Sequence, residues 1–209
     1  MKNLSTNSDI RSYLEKSDPI LGTLIEQCGD LSVELSSDPF CSLVRTICGQ
    51  QLSKVVADTI WNRLENLTEN HIDPENLLEL DIAELRGIGL SNAKSKYLKQ
   101  LSYSVQNHDI DIYNFDFQTD DNIRKLLLEV NGIGEWTVEM FLIFCLGRSN
   151  VFSLTDAGLH RSIMWLYGLN EKPTKEFLIE LSDQWAPYKT YTSLYLWEAN
   201  NRKLISNER

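Results

Sequence analysis

The 209-residue chain is poor in the residues that most often signal metal or redox chemistry. It has three histidines and four cysteines, Cys28, Cys41, Cys48 and Cys145, with no CxxC pair among them. A tetrahedral zinc site needs tighter clustering, and an iron–sulfur cluster would have to gather all four thiols from scattered places. Reduced, mostly buried thiols are the expectation. No run of 18 uncharged apolar residues exists, which excludes a membrane-spanning helix. Residues 1–18 are polar and lack the apolar stretch of a signal peptide. The expectation is a soluble, intracellular (cytoplasmic) protein. Positive charge is scarce as well: 20 Lys and Arg face 30 Asp and Glu, for a net charge of −10. That excludes a protein that coats nucleic acid through a broad basic surface. The charge is uneven, however. Residues 106–122 carry Asp109, Asp111, Asp116, Asp120 and Asp121 without a Lys or Arg. Residues 81–105 carry Arg86, Lys94, Lys96 and Lys99 against Asp81 and Glu84. Any nucleic-acid contact must be local and must use backbone amides as well as side chains.

What is present is helical periodicity along nearly the whole chain. Ile10, Tyr13, Leu14, Ile20, Leu21, Leu24 and Ile25 recur at helical spacing, broken at Pro19. Asp38-Pro39 is a strong helix start, because Asp caps well and Pro suits the first helical position. Gly49 interrupts that helix. A second runs from about Ser53 through Leu64, with Val55, Val56, Ile60 and Trp61 expected inward. Two short helices flank Gly87-Ile88-Gly89, and the design repeats around Gly132-Ile133-Gly134. Residues 106–122 read as an acidic loop, and strand signals are weak. Asp156 opens a further helix that ends near Gly168, and Pro187 separates two last helices. The fold class is all-α, with about ten helices. Two lobes are expected, one of about 38–146 and one of about 1–37 plus 147–209.

The second of these turns carries the chemistry. Gly132 and Gly134 allow a tight turn with unusual backbone angles, and Ile133 can plug the helix pair. The following helix begins at once, so its first amides, from Gly134 through Trp136 to Thr137, lack intrahelical partners and point outward. With the helix dipole they form an anion site that needs no basic side chain. Taken alone, a Gly-x-Gly between helices is also an ordinary connection. Asp156, about 20 residues on, reads by position alone as a helix cap or as a functional carboxylate.

Residues 126–144, with Phe152 to Ile163 after them, resemble the helix-hairpin-helix (HhH-GPD) DNA glycosylases, in particular the DNA-3-methyladenine glycosylase II, or alkylation-repair, branch. Residues 38–64, 85–102 and 183–199 resemble the family's glutamine-rich turn, its preceding turn and its last helix. The resemblance extends over roughly residues 18–200, and the combination is more specific than the hairpin alone.

The resemblance implies an enzyme that flips a damaged base, expected to be an alkylated purine such as 3-methyladenine, out of duplex DNA and hydrolyses its N-glycosidic bond. It implies two helical lobes with the active site in the cleft between them. Asp156 would be the essential carboxylate, stabilising positive charge on the sugar. The family often has Pro before this Asp; here it is Thr155. Trp136 stands where bifunctional members have the Lys that forms a Schiff base, which implies no lyase activity. Trp136, Met140 and Trp197 would wall the base pocket. Gln51, then Leu52, would fill the gap left by the flipped nucleotide. The backbone at Gly132, Gly134, Trp136 and Thr137 would hold phosphate. The carbonyls of Leu128, Val130 and Ile133 would face a structural Na+ or K+ ion, with no cofactor required. Arg45, Lys54, Lys94, Arg148 and Arg161 are candidate phosphate contacts, although a solvated surface charge is the favoured reading for each. The partner is double-stranded DNA, the expected state a monomer. The alternative is a non-catalytic hairpin module that binds backbone only, which the carboxylate and the aromatic set Trp136, Trp185 and Trp197 disfavour.

Overall fold

A computed structural model describes residues 2–205. Its contacts divide the chain into two units, Met1–Leu35 with Gly147–Arg209, and Ser36–Leu146. The first unit begins with β1 (Asn3–Ser5), α1 (Ser8–Ser17), α2 (Pro19–Cys28) and β2 (Ser32–Glu34). Asn7 caps α1 by accepting from Ile10 N. Asp18 then stops α1 and starts α2: its Oδ1 accepts from Ile20 N at 3.1 Å and Leu21 N at 3.0 Å, with Pro19 at the first helical position. The two strands pair antiparallel with Leu4 opposite Val33. At three residues each they are too short to leave an alternating pattern in the sequence.

The second unit holds α3 (Pro39–Gly49), α4 (Lys54–Leu67), α5 (Pro74–Glu79), α6 (Ile82–Gly87), α7 (Asn92–Gln106), α8 (Asp120–Leu128) and α9 (Glu135–Phe144). Asp38 caps α3 through Cys41 N at 2.7 Å, as its Asp-Pro start requires. Asp81 and Glu84 form a reciprocal capping box on α6. α9 is buried along most of its length, from Thr137 to Ile143. It packs against α3 and α8.

The first unit resumes with α10 (Ala157–Leu166), α11 (Lys175–Asp183) and α12 (Lys189–Asn201). α12 packs against both α10 and α2. Trp185 is fully buried, its ring edge-on to Phe152 at 5.5 Å and its Nε1–H donating to Asp18 Oδ2 at 2.9 Å.

Several local expectations are corrected. Twelve α-helices stand among the described residues, where about ten were expected, because short segments around each Pro and Gly are separate helices. The acidic stretch is more than a loop. Residues Ile112–Phe117 form a 3-10 helix that buries Ile112 and Phe115. Val55 and Val56 do not face inward: they are 77% and 44% exposed, and the buried face of α4 begins a turn later at Ile60. Tyr13 and Ile20 are likewise exposed, although their spacing fits the apolar face. Cys28, Cys48 and Cys145 are buried, Cys41 is partly so, and all four are free thiols. No described helix is long and apolar enough to cross a membrane.

Candidate functional site

The hairpin between α8 and α9 is fixed from inside its own unit. Gly132 has φ of +90°, and a Cβ there would lie 2.1 Å from the Tyr97 ring. Only glycine satisfies both the backbone and that approach. Gly134 differs from the expectation of two strained glycines. Its φ is −103°, and nothing lies within 4 Å of where its Cβ would be. The turn is closed by Ile133 N donating to Val130 O at 3.1 Å, with both side chains buried. No side chain caps the start of α9. The first amides of a helix lie outside its intrahelical ladder, and the N-cap residue here, Gly134, brings no side chain to them.

Gln50, at the end of α3, holds the turn. Its Nε2 donates to Gly132 O at 2.8 Å and to Thr137 Oγ1 at 3.0 Å. Thr137 is 2% exposed, and its hydroxyl serves the interior. Lys94 serves the fold itself. Its Nζ donates to Cys48 O at 2.9 Å and Gln50 O at 2.7 Å, closing the C-terminal end of α3. Burial pushes its pKa down. It is therefore neither a solvated charge nor an uncommitted phosphate contact. Around these groups lies an open depression of about 460 Å³, lined among others by Gln51, Ser91, Tyr97, Gly132 and Gly134.

Gln51 is exposed and has φ of +58°, a left-handed conformation that costs a non-glycine residue energy. Leu52 is also exposed, at 39%. Trp136 is half-buried at the start of α9, and Met140, one turn on, is buried. Arg45 lies over the Trp61 ring and pairs with Asp58 at 2.9 Å; Lys54 is near the same carboxylate at 3.9 Å. Arg161 is exposed and Arg148 half-buried.

In the first unit Asp156 is the N-cap of α10 and half-buried. Its Oδ1 accepts from Leu159 N at 2.8 Å and from Trp197 Nε1 at 3.2 Å. A Cβ at Gly158 would come within 2.9 Å of that oxygen. The loop before the cap is tied back by His160, whose Nε2 meets Leu154 O at 2.9 Å. The carboxylate is thus a cap and also a group held in a set direction. Trp185, which the sequence grouped with Trp136 and Trp197, is a core residue of this unit. Gln50, Gly158 and Asn200 drew no attention in the sequence, since their importance arises from partners distant along the chain.

Known proteins share this fold. A DNA-3-methyladenine glycosidase structure from Bacillus halodurans superposes with a TM-score of 0.83 at 35% identity, covering 98% of this chain and 94% of that one. A Schizosaccharomyces pombe 3-methyladenine DNA glycosylase in complex with abasic DNA gives a TM-score of 0.88 at 27% identity, covering 93% and 97%. The Bacillus subtilis protein YfjP, which carries a provisional DNA-3-methyladenine glycosylase name, is 31% identical over 186 residues. That alignment takes in 86% of this chain and 65% of YfjP, so the chain spans just under two thirds of that relative's length. Residues 44–187 match the family model described as HhH-GPD superfamily base excision DNA repair protein, and the chain belongs to that superfamily.

Proposed function

We propose that this protein is a monofunctional DNA glycosylase that extrudes a damaged base, an alkylated purine, from duplex DNA and hydrolyses its N-glycosidic bond to leave an abasic site. The observation that carries this reading is the Asp156 carboxylate, held at the mouth of α10 by two N–H donors. It occurs in a chain of a base-excision family, and two similar solved structures are named for 3-methyladenine. As the glycosidic bond breaks, its electron pair leaves with the base and positive charge grows on the sugar. A fixed carboxylate stabilises that charge. Water then bonds to the sugar carbon and loses its proton to Asp156 or to solvent.

The other roles follow from residue chemistry. The amides of Gly134, Trp136 and Thr137 at the start of α9, beside Gly132, take a DNA phosphate. Gln51, with Leu52, occupies the gap in the duplex. Trp136, Met140 and Trp197 contact the extruded base, whose positive charge suits an electron-rich ring. Trp136 offers no amine for a Schiff base, and Lys125 is exposed on the preceding helix, α8. A structural Na+ or K+ ion held by the carbonyls of Leu128, Val130 and Ile133 belongs to the same reading. Backbone oxygens suit such an ion, and Val130 O keeps a second lone pair beside its bond from Ile133 N. The protein acts as a monomer on damaged double-stranded DNA.

Binding to a duplex with an abasic-site analogue tests the enzyme reading against a backbone-only module. Affinity well above that for intact duplex is expected; equal affinities would refute the reading. Borohydride should trap no covalent DNA adduct, and a trapped adduct would overturn the monofunctional assignment.

A further inference from the structure

Assigning Asp156 to the chemistry leaves open what fixes its direction. Two residues of α12, one turn apart, reach the turn that carries it. The Trp197 Nε1–H donates to Asp156 Oδ1 at 3.2 Å. The Asn200 Nδ2 donates to Gly158 O at 3.1 Å, to Leu196 O at 3.3 Å and to Ser162 Oγ. Ser162 is fully buried and donates to Leu196 O at 2.6 Å and to Gly158 O at 3.1 Å. The first turn of α10 is therefore bonded to α12 through both a peptide carbonyl and the carboxylate.

Gly158 shows how tight the fit is. A Cβ there would meet Asp156 Oδ1 at 2.9 Å and Trp197 Cδ1 at 3.5 Å. The carboxylate and the indole lie over a peptide that leaves no room for a side chain. The donors from Leu159 and Trp197 both converge on Oδ1, so turning the carboxylate would break two hydrogen bonds together.

We propose that Trp197 and Asn200 are positioning residues. α12 grips the catalytic turn at two points, and this sets the direction in which Asp156 presents its charge. The inference rests on Asp156 being the catalytic carboxylate. It gives Trp197 a second role beside its contact with the base, and it gives Asn200 a role in a reaction it does not touch. Electrostatic stabilisation depends on such placement, and a shift of about 1 Å can cost roughly a hundredfold in rate.

The test uses the full chain and a methylated duplex. Single-turnover base release is measured at saturating protein, with affinity for an abasic-analogue duplex alongside. Trp197→Phe keeps a ring and removes the N–H. Asn200→Leu keeps the approximate size and removes the donor. Leu178→Ala, a buried α11 position, controls for general loosening. Both α12 variants should lose roughly tenfold to a hundredfold in rate, by the same factor for 3-methyladenine and 7-methylguanine, with affinity changed less than about twofold. Leu178→Ala should retain its rate per folded molecule. Undiminished rates in both α12 variants would overturn the proposal. So would a loss confined to affinity or to one base, which is the mark of stacking, or an equal loss in Leu178→Ala. Absence of base release by the unaltered chain would instead remove the glycosylase reading, and this proposal with it.

Discussion

A methyl group added at Gly132 would press 2.1 Å from the Tyr97 ring in a backbone at φ of +90°, whereas one added at Gly134 would meet nothing within 4 Å. Two glycines that look alike in the sequence therefore answer different demands. Gly132→Ala should destabilise the protein by about 2–4 kcal/mol, since it combines a steric clash with a disfavoured φ. Gly134→Ala should change stability by less than about 0.5 kcal/mol. It should still weaken DNA binding about tenfold, the equivalent of one lost close contact. Urea unfolding and DNA titration of the two variants measure this; a stable Gly132→Ala or a Gly134→Ala with full affinity would contradict it. Asp156 shows a different economy at the same scale: the carboxylate that caps α10 is the one proposed to face the sugar. Its two roles separate in Asp156→Asn, which keeps an oxygen for Leu159 N and loses the charge.

Among the elements, the two helices whose Asp caps were singled out were legible in the sequence, whereas α5, α6 and α7, capped by Asp73, Asp81 and Ser91, were read as two helices. Asp38-Pro39 and Asp156 mark α3 and α10 because the capping atoms are local to the start of each helix. The hairpin was legible as a turn and the Asp156 helix as a start. What held them in place was not, because Gln50 reaches Gly132 across 82 residues and Asn200 reaches Gly158 across 42. Val55 and Val56 misled because periodicity reports a face and not where along the helix its packing partner begins. Three-residue strands carry too few positions for any period to register. The packing of buried groups has a pH signature. Burial pushes the Cys41 thiol up to about 12, with help from Asp38, and burial alone raises Cys48 to about 12 against the opposing charges of Lys94 and Arg45. Burial, then its hydrogen bond to Asp18, raises the Tyr167 phenol far above its usual range. These groups stay protonated in the fold while the unfolded chain ionises, so they stabilise the fold fully below about pH 9 and lose that contribution as pH rises toward 12. The urea midpoint should fall between pH 9 and 11, and less steeply in Tyr167→Phe. A midpoint flat over that range would contradict the assignment of these groups as buried and protonated.

At the scale of the whole chain, a net charge of −10 sits beside membership in a DNA repair family. The two are reconciled if, as proposed, the phosphate is met by backbone amides at the start of α9, an anion site that needs no cationic side chain. The family match, residues 44–187, runs through parts of both units, so neither the hairpin nor the carboxylate defines the protein alone. Catalysis by Asp156 is tested by release of free base from methylated duplex DNA, with Asp156→Asn beside the unaltered chain and abasic-analogue binding as the control for folding. Release by the unaltered chain, a loss of roughly a hundredfold or more in Asp156→Asn, and binding retained by both are expected. Equal release by the two proteins would contradict this, because the reaction would then proceed without the carboxylate on which the site is built.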